Sequence, residues 1–178
     1  MGSIRRPQPV KLMCSILAGE PALIEAAQQA LAERWGALDF VSDLLPFEHT
    51  DYYAAEMGPA LCRKIVAFER LIDPGDLPDI KIATNELERL WTVSNRRKVN
   101  LDPGYLSLAK LVLATTKDHS HRIYLRDGIY GEVTLRFRQG RFQPWEWTYP
   151  DYASPTFCAM FDALRARYLT QLHAVNQP

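Results

Sequence analysis

Residues His121–Pro144 read HRIYLRDGIYGEVTLRFRQGRFQP, three strand-like runs separated by Arg126-Asp127-Gly128 and Arg138-Gln139-Gly140. Gly-containing connections of this length join antiparallel neighbours, so the stretch predicts a β-meander with strands at His121–Leu125, Ile129–Phe137 and Arg141–Pro144. On a strand successive side chains alternate, which places Ile129, Gly131, Val133, Leu135 and Phe137 on one face. Tyr130, Glu132, Thr134, Arg136 and Arg138 then line the other, a polar and partly cationic surface.

The N-terminal half supplies the rest of a sheet. Lys11–Ala18 (KLMCSILA) is a nearly continuous apolar run ending at Gly19, the pattern of a strand buried on both faces. Pro21 suits a first helical turn, Leu23, Ala27, Ala30 and Leu31 recur at helical spacing, and Gly36 suits a stop. A second strand is expected around Ala37–Phe47, and a third within Ala60–Ile72, ending at Asp73-Pro74-Gly75. Asp76 is placed to cap a helix with Ile80, Ala83, Leu87 and Leu90 or Trp91 as its buried stripe, and Asn95–Lys98 (NRRK) reads as an exposed basic connection. Val99–Thr116 has two readings: a helix opening at Asp102-Pro103, or a strand at Leu111–Thr115 that completes the sheet. After the meander, Ser154 caps and Pro155 opens a final helix whose stripe is Phe157, Met160, Phe161, Leu164, Tyr168 and Leu172.

The expected fold class is therefore α+β. It is a ferredoxin-like β-α-β-β-α start extended by a C-terminal β-meander and a closing helix, one mixed or antiparallel sheet with helices packed on it. Residues 9–173 are expected to form one domain, with residues 1–8 and 174–178 as flexible ends. At 178 residues the chain can bury a full core without crosslinks.

Composition narrows the function classes. Lys+Arg and Asp+Glu both number 21, so the formal net charge is zero, which weighs against a nucleic-acid partner. The three cysteines, Cys14, Cys62 and Cys158, are odd in number and widely spaced, which suits neither a disulfide framework nor a C-x-x-C site. Cys14 and Cys62 sit in apolar runs and are expected to be buried. Met1–Pro9 has no apolar signal core, and no apolar run approaches a membrane span, so a cytoplasmic location without a membrane partner is expected.

Thr115–Arg122 (TTKDHSHR) carries the densest chemistry, a loop between an apolar element and a strand. Lys117, Asp118, His119, Ser120 and Arg122, with Arg136 from the meander, are the candidate ligand-binding residues, suited to a phosphate or carboxylate. His121, Asp51, Glu56 and Glu132 are the candidate acid–base groups. Thr50 or Asp51 also suits the cap of a short helix in His49–Gly58, a structural role that the residue types favour over catalysis. His119 and His121 would point the same way on a strand, but a metal site needs further ligands and no HExxH, Cys-His or DxDxDG pattern occurs, so no metal is assigned. Neither a Gly-rich phosphate loop, a G-x-S-x-G elbow nor a dinucleotide fingerprint is present, and no cofactor is assigned. The run Trp145–Tyr152 (WEWTYPDY) beside Arg136, Arg138 and Arg141 is read first as core packing in a connecting strand. Its second reading gives the alternative function, a non-catalytic RNA- or protein-interaction module on the arginine/aromatic face.

Several phrases recur in one known family. TDYYAAEMG (Thr50–Gly58), FERLIDP (Phe68–Pro74), TNELE (Thr84–Glu88), VNLDPGYLSLAKLVLATTKDHSHRIYL (Val99–Leu125), IYGEVTL (Ile129–Leu135) and WTYPDY (Trp147–Tyr152) resemble the bacterial family known as domain of unknown function 4416. The resemblance runs from about Pro9 to Gln171 and implies a small bacterial cytoplasmic protein, without an activity or catalytic residues to carry over. Its phrases fall on the Lys117–Arg122 segment and on Asp51, Glu56, Asp102 and Glu132.

Overall fold

Strand β1 (Val10–Ala18) is buried along its whole length, as a continuous apolar run demands of a strand covered on both faces. The computed structural model describes residues 2–47, 54–58 and 60–175. Helix α1 (Pro21–Trp35) follows, opened by Pro21 and closed by Gly36, whose φ of 99° suits a residue without a Cβ. The expected second strand is divided into β2 (Leu38–Val41) and β3 (Leu45–Pro46), both paired with β4 (Cys62–Ile72). A four-residue helix, α2 (Ala54–Met57), precedes β4, and α3 (Leu77–Glu88) follows it. A hairpin of β5 (Thr92–Val93) and β6 (Arg96–Arg97) leads to β7 (Val99–Leu106) and β8 (Lys110–Thr115). The meander is β9 (Arg122–Arg126), β10 (Ile129–Arg138) and β11 (Arg141–Pro144), and α4 (Pro155–Val175) closes the chain.

The fold is α+β, built on one large antiparallel sheet with the path β11-β10-β8-β7-β1-β4-β2; β9 also pairs with β10 and β3 with β4. Helices cover both faces. Leu12, Cys14, Ile16 and Ala18 point to α1 and α3, against Ile24, Ala27, Leu31 and Ile80. Met13, Ile65, Ala67, Leu106, Leu111, Leu135 and Phe142 point to α4, against Phe157, Phe161, Leu164 and Tyr168. Lys11 lies among these apolar groups with no exposed surface, ion-paired with Asp39 and bonded to Gln171 Oε1 of α4 at 2.8 Å. Burial pulls its pKa down against the pull of Asp39.

The closing helix has the expected cap, with Phe157 N–H donating to Ser154 Oγ at 3.3 Å, and its stripe is buried apart from the half-buried Met160. Both meander turns have positive φ at two successive residues, 53° and 76° at Asp127-Gly128 and 53° and 81° at Gln139-Gly140. These angles fit the right-handed twist of a hairpin.

Six expectations are corrected. The helix at Asp102-Pro103 does not form: Val99–Leu106 is strand β7, and Pro103 is tolerated because it lies just outside the ladder with β8, which begins at Gly104. A Cβ on Gly104 would stand 2.4 Å from Val112 O, so the two backbones approach closely only because the residue is glycine. Gly104→Ala is expected to cost about 1–2 kcal/mol, read as a lowered urea midpoint with unchanged slope. Asp76 does not cap α3; Asp73 instead accepts from Gly75 N–H at 2.8 Å and starts a 3₁₀ turn at Pro74–Asp76 that runs into the helix. The stripe of α3 is not wholly apolar, since Leu77, Ile80, Lys81, Thr84 and Glu88 are buried while Leu90 is 70% exposed. The two faces of β10 are not continuous: its register with β8 shifts between Val133 and Leu135, a bulge at Thr134 that sends Val133 toward α3 and Leu135 toward α4. Finally, Trp145–Tyr152 is a run of turns rather than a connecting strand, and Cys62 is only half-buried while Cys14 is fully so.

Candidate functional site

The β7–β8 ladder extends only over Gly104–Leu106 and Leu111–Leu113. Beyond it Asn100 and Asp102 of β7 and Ala114 and Thr115 of β8 share a cavity of about 320 Å³ with side chains from every neighbouring element. The polar stripe of α3 reaches it: Lys81 Nζ donates to Leu101 O at 2.8 Å and to Asp102 Oδ1 at 3.2 Å. Buried lysine is tolerable only with such acceptors. Asn100 Nδ2 donates to Asp102 Oδ2 at 2.7 Å, so both carboxylate oxygens are engaged. Burial would push the Asp102 pKa up, but the charges of Lys81 and Arg63 and the bonds from Lys81 and Asn100 outweigh it and hold it below the usual value.

The hairpin residue Arg97 links three elements. Its Nε and Nη2 donate to Glu56 at 2.8 and 3.0 Å, and its Nη1 donates to Glu88 at 3.0 Å and to Asn100 Oδ1 at 3.0 Å. Glu88 also accepts from Leu101 N–H at 2.7 Å. The hydrogen bonds from Arg97 draw the Glu56 pKa down, whereas burial raises that of Glu88 against Lys81, Leu101 and Arg97. Arg97 is thus no solvated part of an exposed NRRK connection, as its sequence suggested. On the opposite wall Arg63 of β4 is ion-paired with Asp151, both side chains 7% exposed, and its guanidinium lies 4.6 Å from the Phe47 ring centre and 5.3 Å from that of Tyr152.

The candidates from Lys117–Arg122 divide. Lys117 and Arg122 line the cavity, and so does Glu132. Arg122 Nε donates to Glu132 Oε2 at 2.9 Å and its Nη1 to Lys117 O at 3.0 Å, which folds the loop back against β10. His121 Nε2 lies 3.1 Å from Glu132 Oε2 but is not part of the wall. Asp118, His119 and Ser120 are exposed and also outside it. Glu56 stands behind Arg97, and Asp51 lies outside the described residues.

Arg136 is elsewhere, at one end of a column of planar groups. Its guanidinium carbon is 4.0 Å from the Trp145 ring centre, Trp145 is 5.0 Å from Trp147, Trp147 5.6 Å from His121, and His121 5.9 Å from His119. The interplanar angles are 8°, 14° and 20°. Trp147 Nε1 donates to Val133 O at 3.1 Å beside the β10 bulge, which anchors the column.

Sequence reasoning passed over Arg63, Lys81, Asn100 and Asp151, although they form much of the wall. Two signals were present. Leu77, Lys81, Thr84 and Glu88 recur at spacings of four, three and four, one helical face, and Asn100 and Asp102 alternate with Val99 and Leu101, one strand face. Among the described residues no group of three or more His, Cys, Asp or Glu is arranged to hold a metal ion, and no helix is long and apolar enough to cross a membrane. Neither a curated protein nor a solved structure matches the chain. A family model does match, over residues 8–168, and includes every wall residue named above: the chain belongs to the family described as Domain of unknown function (DUF4416).

Proposed function

We propose that this protein binds a small molecule bearing a phosphate or carboxylate in the cavity between β7 and β8. One observation carries the reading: Arg63, Lys81, Arg97, Lys117 and Arg122 converge on that cavity from β4, α3, β6, a loop and β9, against Asp102, Glu132 and Asp151 in the same wall. Five cations against three carboxylates leave the lining with two positive charges in excess, and that excess favours an anion. Of the acid–base candidates among the described residues, His121, Glu56 and Glu132, only Glu132 reaches the wall, so we assign it any proton transfer and give His121 the role of orienting it. Asp118, His119, Ser120 and Arg136 are not needed for binding in this reading.

The interaction-module alternative has less support. In the planar column Trp145, Trp147 and His121 each have a neighbour on both sides, so those rings offer no free face to an incoming base. We also read the first half as a ferredoxin-like unit. The order β7-β1-β4-β2, antiparallel throughout with α1 and α3 on one face, supports this.

Calorimetric titration with inorganic phosphate and small dicarboxylates tests the binding. Arg122→Gln keeps a donor for Glu132 but removes the charge, and is expected to weaken phosphate binding about tenfold with the circular dichroism spectrum unchanged. Absence of saturable binding at millimolar concentration by these anions and by small organic phosphate esters alike would refute the proposal.

A further inference from the structure

The wall suits a ligand with more than a bare charge. Asp102, Glu132 and Asp151 face the same space as the cations, and the Asp102 side chain keeps 31% of its surface exposed. A carboxylate open to the cavity repels a plain anion but accepts hydrogen bonds from hydroxyl or amino groups, so the complementary molecule carries donors beside its negative charge. A cavity of about 320 Å³ is also of the size that takes a small organic molecule, and a lone inorganic anion would leave much of it unfilled. Asn85 of α3 adds an amide, which both donates and accepts, to the wall.

Tyr149 separates a sugar phosphate from a nucleotide. It is 50% exposed and lines the cavity, whereas Tyr152, which also lines it, is 3% exposed with its ring covered by Phe157, Phe161 and Arg63. Pro150, which follows it, lines the cavity too and restricts the backbone there. A tyrosine face open at the edge of a cationic cavity is a stacking platform for a planar ring. It is not consumed in the way that the rings of the Trp145–Trp147–His121 column are: among the described residues no ring contact to Tyr149 is found.

We infer that the ligand is a nucleotide, its phosphate held by the cationic wall of Lys81, Arg97 and Arg122 and its base stacked on Tyr149. This rests on the anion-binding reading above and names the class of molecule that fills the same cavity. The carboxylates of Asp102 and Glu132 accept from the ribose hydroxyls or the base amino groups.

The test is a calorimetric titration of the full chain with inorganic phosphate, ribose 5-phosphate and the four nucleoside 5′-monophosphates. At least one nucleotide is expected to bind about tenfold more tightly than ribose 5-phosphate. Tyr149→Ala removes that advantage and leaves ribose 5-phosphate binding unchanged, while Tyr149→Phe retains it. Equal affinity for ribose 5-phosphate and all four nucleotides, or an advantage that survives in Tyr149→Ala, overturns the nucleotide assignment and leaves the anion site standing. Failure of phosphate, ribose 5-phosphate and nucleotides alike overturns both.

Discussion

Arg63→Met should lower the unfolding free energy by about 3–5 kcal/mol, the cost of leaving a buried partner charge uncompensated. Arg63 and Asp151 are each 7% exposed at the side chain and ion-paired. Asp151 Oδ1 accepts from Tyr152 N–H at 2.8 Å, but among the described residues its Oδ2 has no partner other than the Arg63 guanidinium. Methionine preserves the length of the apolar stem and removes the guanidinium, with its charge, its donors and its contacts to the Phe47 and Tyr152 rings. The consequence extends beyond β4, because Asp151 belongs to the turns that join β11 to α4 and form one wall of the cavity. Urea denaturation of the single variant and of Arg63→Met/Asp151→Leu separates charge from packing. The double variant should recover part of the loss, since it removes the uncompensated buried charge but also takes away the acceptor of Tyr152 N–H. A single-variant loss below about 1 kcal/mol, or a double variant no better than the single, would contradict this account of the pair.

The elements that were legible in the sequence are those whose residues serve one purpose. β1 reads as a buried strand because all of it is buried, and α4 reads as an amphipathic helix because Phe157, Phe161, Leu164, Tyr168 and Leu172 all meet the same apolar sheet face. The meander turns are legible because a positive φ at Gly128 and Gly140 restricts the residue type. β7 failed for the opposite reason. Its Val99 and Leu101 serve the core while Asn100 and Asp102 serve the cavity, and Asp102-Pro103 imitates a helix start when read without β1 beside it. In α3 the lysine and glutamate of a buried stripe look like a solvated face until Leu101, Asp102 and Arg97 supply their partners. The candidate site was legible to the same degree. Lys117, Arg122 and Glu132 lie within 16 positions, were candidates in the sequence and line the cavity, whereas Arg63, Lys81 and Asp151 come together only through the sheet order.

The second large effect concerns Arg97, and it depends on pH. Arg97→Ala should cost about 2–3 kcal/mol at pH 7, because it strips Glu88, whose side chain is 5% exposed, of its guanidinium partner. Glu88 already has a raised pKa, from burial first, opposed by Lys81, Leu101 N–H and Arg97. Such a carboxyl costs nothing while protonated in both states, below its unfolded value of about 4.3, costs progressively more as pH rises from there toward its raised folded value, and costs a constant amount above it. Without Arg97 that folded value moves higher still, so the penalty in the variant grows between about pH 4 and pH 7. Glu56 acts in the same direction. Its hydrogen bonds from Arg97 hold its pKa low, so it contributes stability that is complete above its unfolded value and is lost as pH falls through its folded value, and the variant forfeits more of it at pH 7 than at pH 4. Glu56 is 35% exposed and therefore weighs less than Glu88. The cost of Arg97→Ala at pH 4 should accordingly be less than about half that at pH 7. Adding Glu88→Gln removes the buried charge and should remove most of the pH dependence with it. A cost that is the same at both pH values would mean that Arg97 acts through packing alone, and that the Glu56–Arg97–Glu88 linkage between α2, the hairpin and α3 is not electrostatic.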